Sequence, residues 1–466
     1  MKDQEPKARG VAVTFLRFIN KRNPGQILVL GFLTVIVLGS LLLMLPVATV
    51  DRTFLGPVDA LFTATSAVCV TGLTVVNTGV TFSLYGQVVI LALIQIGGLG
   101  FMAMTSLIFM AIGRRISLRE RMIIKESFNS DSLQGMVRLV RSAIILTFSI
   151  EAAGAVILSL RLIPEFGFAK GLYTAVFFAV SGFCNAGFDV LGDPNSIERY
   201  AADPVINLVL MVLITMGGLG FSVLVDIGKN RRFGRLTLHS RIVLLMSGIL
   251  FLFGTITICL LEWNNPSTLG GHDLNPAEKV MAAAFQSVTV RTAGFDTLGQ
   301  AGLTPAGKMI SMLLMFIGAS PASTGGGIKT TTFFAVVLFI YSVVHQRQDY
   351  NVRHRRLNEQ VVKRSLCIFS LALGLVLVGT LLVSSAETVA GDPIPLENVM
   401  FEVISAFGTV GLTANVTMGL CAFSKVVVTI IMFFGRLGPL TLSMALSGGS
   451  DRSNSIRYPE ERMMVG

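Results

Sequence analysis

The sequence predicts an all-α membrane protein. Its eight transmembrane helices should form four pseudo-repeated units around one central axis, each a membrane helix, a short helix with a glycine loop, and a second membrane helix. Three observations predict it. The 466-residue chain is 52% hydrophobic and only 14% charged, with a mean hydropathy of +0.72, where soluble domains carry about 25% charge. Eight apolar runs, at 27–47, 86–112, 141–161, 205–227, 241–261, 309–344, 365–386 and 424–446, reach the ~20 residues that cross hydrocarbon. Between paired runs, a glycine-centred stretch recurs four times.

The net charge of +10 is unevenly placed. Most Lys and Arg lie in the N-terminal segment, in alternate loops such as "GRRISLRERMIIKES", "KNRRFGRLTLHSR" and "RQDYNVRHRRLNEQVVKR", and in the C-terminal tail. The intervening loops "DPNSIERYAADP" and "ETVAGDPIPLEN" are poor in them. This is the positive-inside pattern, so both termini and the basic loops are assigned to the cytoplasm and nucleic acid is excluded as a partner. The organisation that follows is a cytoplasmic N-terminus over 1–24, units over 25–113, 138–230, 238–345 and 362–447, and a cytoplasmic tail over 448–466. The first apolar run is long enough to span and is expected to be retained rather than cleaved as a signal peptide.

Each unit carries a short amphipathic segment after its first span: "PVDALFTATSAV", "GLYTAVFFAVSGF", "AEKVMAAAFQSV" and "LENVMFEVISAFG". Alignment on the glycines that follow gives Gly72, Gly187, Gly294 and Gly411. Ten residues upstream lies Phe62, Phe177 or Phe401, and six upstream Ser66, Ser181 or Ser405; the third unit departs, with Phe285 nine upstream. A bulky residue follows each glycine: Leu73, Phe188, Phe295 and Leu412. The second spans share a glycine after an apolar triad, in "IQIGGLGFM", "ITMGGLGFS", "MFIGASPAS" and "MFFGRLGPL". The glycines of "IQIGGLGFM" and "ITMGGLGFS" are expected mainly to allow close helix packing.

Irregular backbone at membrane depth is tolerated only where it is buried in protein or lines a wet cavity. Four loops around one axis satisfy that together. Their carbonyls can replace the hydration shell of a cation in a central pore, and the short helices present the negative ends of their dipoles to it. No ring of Asp or Glu is present in the loops, which argues against divalent selectivity. Asp189 and Asp296 follow the motif glycines by two positions and either concentrate cations at the mouth or cap local turns. Five scattered cysteines without a CxxC pair and four dispersed histidines give no metal site; the cysteines read as small buried hydrophobes, with approach to the pore as the alternative for Cys69 and Cys184, three residues before motif glycines. No H-E-x-x-H, Ser–His or paired-aspartate arrangement points to an enzyme. The segment "STGGGIKTTT" lacks phosphate-loop spacing and a preceding strand.

The four tripeptides Val70-Thr71-Gly72, Asn185-Ala186-Gly187, Thr292-Ala293-Gly294 and Thr409-Val410-Gly411, with "GASPASTGGGIKTTT" and "GRLGPLT", make the chain resemble the ion-translocating membrane subunit of Ktr-type potassium uptake systems, in the Trk/Ktr/HKT superfamily. The resemblance covers essentially the whole chain. It implies membrane helix–pore loop–membrane helix units, with the backbone of those twelve residues as the selectivity filter. It also implies potassium as the transported ion, since sodium-preferring relatives resemble this chain with serine in place of Gly72. Trk-type relatives carry an additional helix pair, so the Ktr branch fits better.

The third unit's second span is interrupted over 318–330. Pro321 and the run Gly325-Gly326-Gly327 weaken a helix there, and Ser320, Ser323 and Thr324 can satisfy the freed backbone. The resemblance makes this segment, from Gly318 and Ala319 onward, an intramembrane gate below the filter; a static kink is the alternative. Lys329 and Arg436 are ionisable residues in apolar segments, where charge costs at least ~2.5 kcal/mol. Arg436, after Gly435, is expected just under the filter, repelling cations weakly and touching the gate. Lys329 is read equally as gate or as a snorkelling side chain. The resemblance further implies a homodimer in the bacterial cytoplasmic membrane. It implies gating by a separate cytosolic KtrA-like ring of RCK-type regulatory subunits, which alone bind nucleotide, with sodium as candidate activator; the basic loop 345–364 either offers a docking surface or only fixes topology or meets anionic lipid. The alternative is an alternating-access cation symporter, which predicts paired interruptions in two halves where the sequence shows one clear interruption.

Overall fold

The computed structural model describes residues 24–100, 122, 136–193, 197–271, 274–347, 349–352 and 355–438. The expectations for the N-terminal segment, the first basic loop and the C-terminal tail lie outside these residues. The regular structure of the described residues is helical apart from a small hairpin pairing Asn351 with Arg356 and Val352 with Arg355 and two isolated bridges, Thr49 to Phe82 and Ile317 to Ile328.

The first unit contains α1 (Pro24–Met44), α2 (Pro57–Cys69) and α3 (Leu84–Leu99). The second contains α4 (Met136–Phe166), α5 (Phe168–Cys184), α6 (Pro204–Leu219) and α7 (Phe221–Lys229). The third contains α8 (Leu238–Glu262), α9 (Pro276–Thr289), α10 (Pro305–Phe316) and α11 (Thr330–Val344). The fourth contains α12 (Glu359–Ala390), α13 (Leu396–Gly408) and α14 (Ala422–Leu437).

Helix starts follow local chemistry. Proline occupies the first turn of α2, α6, α9 and α10, where its missing N–H costs nothing. Asp203 caps α6 through the amides of Val205 and Ile206 at 2.9 and 3.1 Å, and Asn275 with Glu278 forms a capping box on α9.

Among the described residues, four helices are long and apolar enough to cross a membrane unaided: Gly25–Met44, Val137–Phe166, Leu238–Glu262 and Glu359–Ala390. These are the first helices of the four units. The second helices are shorter, because each ends or breaks at a glycine-containing segment. Gly100, Gly220 and Gly438 follow α3, α6 and α14 with nearly the same backbone, φ 82, 93 and 84° and ψ 138, 140 and 136°. At Gly220 the chain turns by 98° into α7. This corrects the reading of one interruption: the run expected over 205–227 is itself broken. Only glycine adopts that left-hand conformation without strain.

The packing of the units is cyclic. Besides contacting helices of its own unit, each short helix meets the second helix of the preceding one: α5 packs on α3, α9 on α6, α13 on α10, and α2 on α14. Three of these seams carry a polar clasp. Tyr173 Oη donates to Gln87 Oε1 at 3.0 Å, Lys308 Nζ to Asn398 Oδ1 at 2.9 Å, and Lys425 Nζ pairs with Asp59 Oδ1 at 2.8 Å. The repeat phenylalanines Phe62, Phe177, Phe285 and Phe401 are fully buried in the core.

The N-terminal ends of α10 and α14 are held by buried carboxylates. Glu262, the last residue of α8, accepts from Thr304 N, Thr304 Oγ1, Thr268 Oγ1 and Asn265 Nδ2 at 3.0, 2.6, 2.9 and 2.6 Å. It places negative charge at the N-terminus of α10, where the helix dipole favours it. Glu387 of α12 does the same for α14 through Cys421 N at 3.1 Å. Glu262→Ala leaves these donors unpaired in a buried site, at about 1–3 kcal/mol. The expected result is a lower midpoint in thermal unfolding of the detergent-solubilised protein, with ion preference unchanged in liposomes.

Candidate functional site: four glycine loops and the segment beneath them

Three of the four short helices end alike. Val70, Asn185 and Thr409 stand left-handed at their C-caps, with φ 57, 60 and 50°. The next amides, of Thr71, Ala186 and Val410, donate to the carbonyls of Ser66, Ser181 and Ser405 at 2.8, 2.7 and 2.8 Å. These bonds satisfy the orphan carbonyls of the last turn. The repeated serines also hold the loops by their hydroxyls. Ser66 and Ser405 accept from Gly72 N and Gly411 N, each at 3.1 Å, and Ser181 donates to Phe188 O at 2.8 Å.

The third unit reaches the same end differently. After α9, Val290 remains right-handed at φ −63°, and Ala293 N donates to Thr289 O at 2.9 Å. Thr289 Oγ1 then holds Phe295 O at 2.7 Å, as Ser181 holds Phe188. The displaced Phe285 belongs to this altered helix end. Thr289 escapes a search for serine six residues before the glycine because it lies five before.

In all four loops the residue two before the glycine and the glycine itself have positive φ: Val70 57° and Gly72 94°, Asn185 60° and Gly187 66°, Thr292 91° and Gly294 80°, Thr409 50° and Gly411 91°. Thr71, Ala186, Ala293 and Val410 between them do not. The loops then meet in order. A Cβ on Gly72 would lie 2.4 Å from Ala186 O, on Gly187 2.5 Å from Ala293 O, on Gly294 2.2 Å from Val410 O, and on Gly411 2.1 Å from Thr71 O. The sequence of neighbours closes on itself. Each glycine is required because the carbonyl of the next loop occupies the space a side chain would take. Leu73, Phe188, Phe295 and Leu412 pack into the core at no more than 1% exposure, anchoring each loop from behind.

The return strands are tied to the short helices by residues that sequence reasoning passed over. Glu402 accepts from Thr413 Oγ1 at 2.9 Å and from Thr417 Oγ1; Gln286 and Gln300 exchange amide hydrogen bonds at 2.6 and 3.1 Å. Thr413 and Thr417 of "FGTVGLTANVT" thus serve the loop's backing. Asp296 accepts from the amides of Leu298, Gly299 and Gln300 at 3.1, 3.0 and 3.1 Å, and Asp189 from Leu191 N at 3.2 Å. Both therefore cap turns.

The interruption lies directly against these loops. α10 ends at Phe316 and α11 begins at Thr330, with Ile317 bridged to Ile328. Ser320 N donates to Gly218 O at 3.0 Å, Thr324 N to Gly217 O at 3.2 Å, and Phe221 N to Ala322 O at 2.8 Å. The broken end of α6 thus exchanges hydrogen bonds with the segment. Pro321 O is 2.4 Å from where a Cβ of Gly220 would stand. On the other side Gly326 N donates to Thr409 Oγ1 at 2.9 Å and Gly327 N to Gly435 O at 3.2 Å. Ser320 Oγ meets Thr330 Oγ1 at 3.0 Å, and Ser323 Oγ donates to Ser320 O at 2.6 Å. Gly318 abuts Gly326 O, and Gly325 abuts Thr292.

Arg436 donates to Thr324 O, to Gly97 O, and to Gly98 O at 3.4 Å, so it joins the segment to the first unit. Lys329 Nζ donates to Gly325 O at 2.7 Å, turning back into the segment. Gly97, Gly217 and Gly435 also serve close packing: a Cβ there would meet Val68 O, Phe183 O or Phe407 O within about 2 Å. Cys184 packs beside Gly98.

Residues 12–456 match the TrkH cation transport protein family. The chain belongs to the TrkH family. This is a family of cation transporters, not of enzymes. Within it, the chain is 40% identical to the Ktr system potassium uptake protein B of Bacillus subtilis over 444 residues, covering 95% of this chain and 97% of that protein. It is 38% identical to the potassium/sodium uptake protein NtpJ of Enterococcus hirae, covering 96% and 98%. The potassium transporter TrkH of Vibrio parahaemolyticus, in a crystal structure, superposes with a TM-score of 0.67 over 89% of this chain and 84% of that one. At 20% identity that likeness speaks for a shared TrkH fold alone.

Proposed function

We propose that the chain is the translocating subunit of a Ktr-type potassium uptake system, a gated pore formed by four units and eight spans. The carrying observation is the closed cycle of contacts from Gly72 to Ala186, Gly187 to Ala293, Gly294 to Val410 and Gly411 to Thr71. Backbone oxygens from four loops around one axis suit a monovalent cation that gives up its water. The filter comprises Val70-Thr71-Gly72, Asn185-Ala186-Gly187, Thr292-Ala293-Gly294 and Thr409-Val410-Gly411. Potassium is the favoured ion because relatives at about 40% identity are named for potassium uptake, and because all four filter positions hold glycine. Sodium is the proposed activator; the Enterococcus relative is named for potassium/sodium uptake.

Segment 318–330, with Lys329 and Arg436, is the gate in this reading. It bonds at once to the broken end of α6, to Thr409 of the filter and to Gly435. A cytosolic nucleotide-binding ring docks on the basic loop around the Asn351–Arg356 hairpin and biases the gate. The Ktr naming of the relatives implies a partner in those systems. The subunit works as a homodimer in a bacterial cytoplasmic membrane, both termini inside.

An alternating-access symporter is the second reading, favoured by the break at Gly220, which gives the described residues two interrupted segments. Their mutual hydrogen bonds connect adjacent units rather than symmetry-related halves, which favours the pore. The test is growth of a potassium-uptake-deficient bacterium at low external potassium with the chain and a Ktr regulatory partner co-expressed. Growth supports the assignment, and its absence with both proteins in the membrane sinks it. Flux in liposomes far above transporter turnover separates pore from symporter.

A further inference from the structure

Away from the axis, α6, α8 and α9 enclose a lateral cavity of about 510 Å³, within the range that houses small ligands. Its walls are apolar except for Thr215, Ser247 and Arg291. Leu208 and Val212 line it while 54% and 59% exposed, so it opens on the face that meets lipid. Its lining also includes Gly218 and Ala319, which belong to the docking of segment 317–329 on α6.

Arg291 is the feature that needs a ligand. Among the described residues its side chain bonds only to Ser247, Nη1 to the carbonyl at 3.2 Å and Nη2 to Oγ at 3.5 Å. Nε is buried without a partner, and among the described residues no carboxylate faces the guanidinium. A charge in an apolar lipid-facing cavity is costly unless paired, and guanidinium pairs best with a planar oxyanion. The complementary occupant is one small anion on a hydrocarbon chain. A diacyl phospholipid would have to draw its whole headgroup to the depth of the filter loops; a fatty acid brings only a carboxylate.

We propose that this cavity binds a single-chain fatty acid. Its carboxylate sits on Arg291 and its chain runs along α6 and α8 toward the bilayer. Occupancy holds segment 317–329 seated against α6. The second part follows from linkage: a ligand that contacts walls contributed by both Gly218 and Ala319 favours the conformation in which they lie together. The gating clause rests on the pore reading given above; the binding clause does not.

The test is photolabelling of the full chain in lipid nanodiscs with a diazirine-bearing palmitate. We expect adducts on 205–219 and 238–262 that unlabelled oleate removes. Gly248 lines the cavity and a Cβ there meets nothing within 4 Å, so Gly248→Leu fills the space without displacing backbone. It should cut labelling by about tenfold, ~1.4 kcal/mol. Arg291→Gln should weaken labelling by the acid and leave labelling by its methyl ester unchanged. In liposomes, oleate should slow rubidium uptake by wild type and leave Gly248→Leu, with its basal uptake intact, unaffected. Adducts scattered over the chain, or indifferent to Gly248→Leu, overturn the site. Equal labelling by a photoreactive phosphatidylglycerol that oleate does not remove overturns the choice of fatty acid. Correct adducts with oleate-insensitive uptake overturn the gating clause. Correct adducts in a protein that conducts nothing leave the cavity standing and defeat the pore.

Discussion

Gly72→Ser is expected to abolish the preference for potassium over sodium while leaving the protein folded and in the membrane. Two costs fall together at this position. The residue has φ 94°, which costs a residue with a Cβ about 1–3 kcal/mol. The new Cβ would also lie 2.4 Å from Ala186 O, a carbonyl of the neighbouring loop. The serine is accommodated only by moving that oxygen away from the axis or by tilting its own loop. Either shift spoils the equal distances through which four loops replace a hydration shell. A loss of ~1.4 kcal/mol in differential binding is a tenfold fall in the potassium-to-sodium ratio, and we expect at least about that. The measurement is rubidium uptake in liposomes against competing sodium and potassium. Gly187→Ser, Gly294→Ser and Gly411→Ser should behave alike, because each Cβ meets the next carbonyl at 2.1–2.5 Å. Wild-type selectivity in all four would remove the loops from ion recognition.

Those four glycines were legible because their signal is local: a short amphipathic helix, a glycine and a bulky residue, repeated. The neighbour order was not. That Gly72 faces Ala186 and Gly411 faces Thr71 depends on how units pack, and no local pattern encodes it. The break at Gly220 was missed for a related reason. The apolar pattern runs unbroken from Pro204 to Ile227, and "GGLG" reads as a packing motif, which Gly217 indeed is. The bend is sustained by Ala322 O accepting from Phe221 N and by Gly218 O accepting from Ser320 N, partners about a hundred residues downstream. Thr289 was hidden by an offset of one residue, caused by the right-handed cap at Val290. Asp189 and Asp296 offered two readings from sequence. Their amide partners, such as Leu191 N and Gly299 N, show that both cap turns. The lateral cavity had no sequence signal, being a volume left between helices.

Arg436→Ala is expected to raise basal flux in the absence of any regulatory partner by about tenfold. The segment beneath the loops is seated by backbone hydrogen bonds to Gly217, Gly218 and Gly435 and by Thr409 Oγ1. Arg436 adds the tether to the first unit, spanning Thr324 O and Gly97 O with one planar fork. Removing the fork leaves buried carbonyls unmet, at about 1–3 kcal/mol. That cost falls on the seated arrangement, because a displaced segment has already released Thr324 O. A bias of ~1.4 kcal/mol shifts the closed-to-open ratio tenfold. The lost positive charge acts in the same direction by admitting cations more readily beneath the filter. Arg436→Lys separates the two contributions. It keeps the charge, but an ammonium cannot reproduce the fork. High flux in both variants assigns the effect to the tether; high flux in alanine alone assigns it to charge. Flux and partner dependence identical to wild type in Arg436→Ala would show that the segment is a fixed part of the wall, and the gate would have to be sought elsewhere.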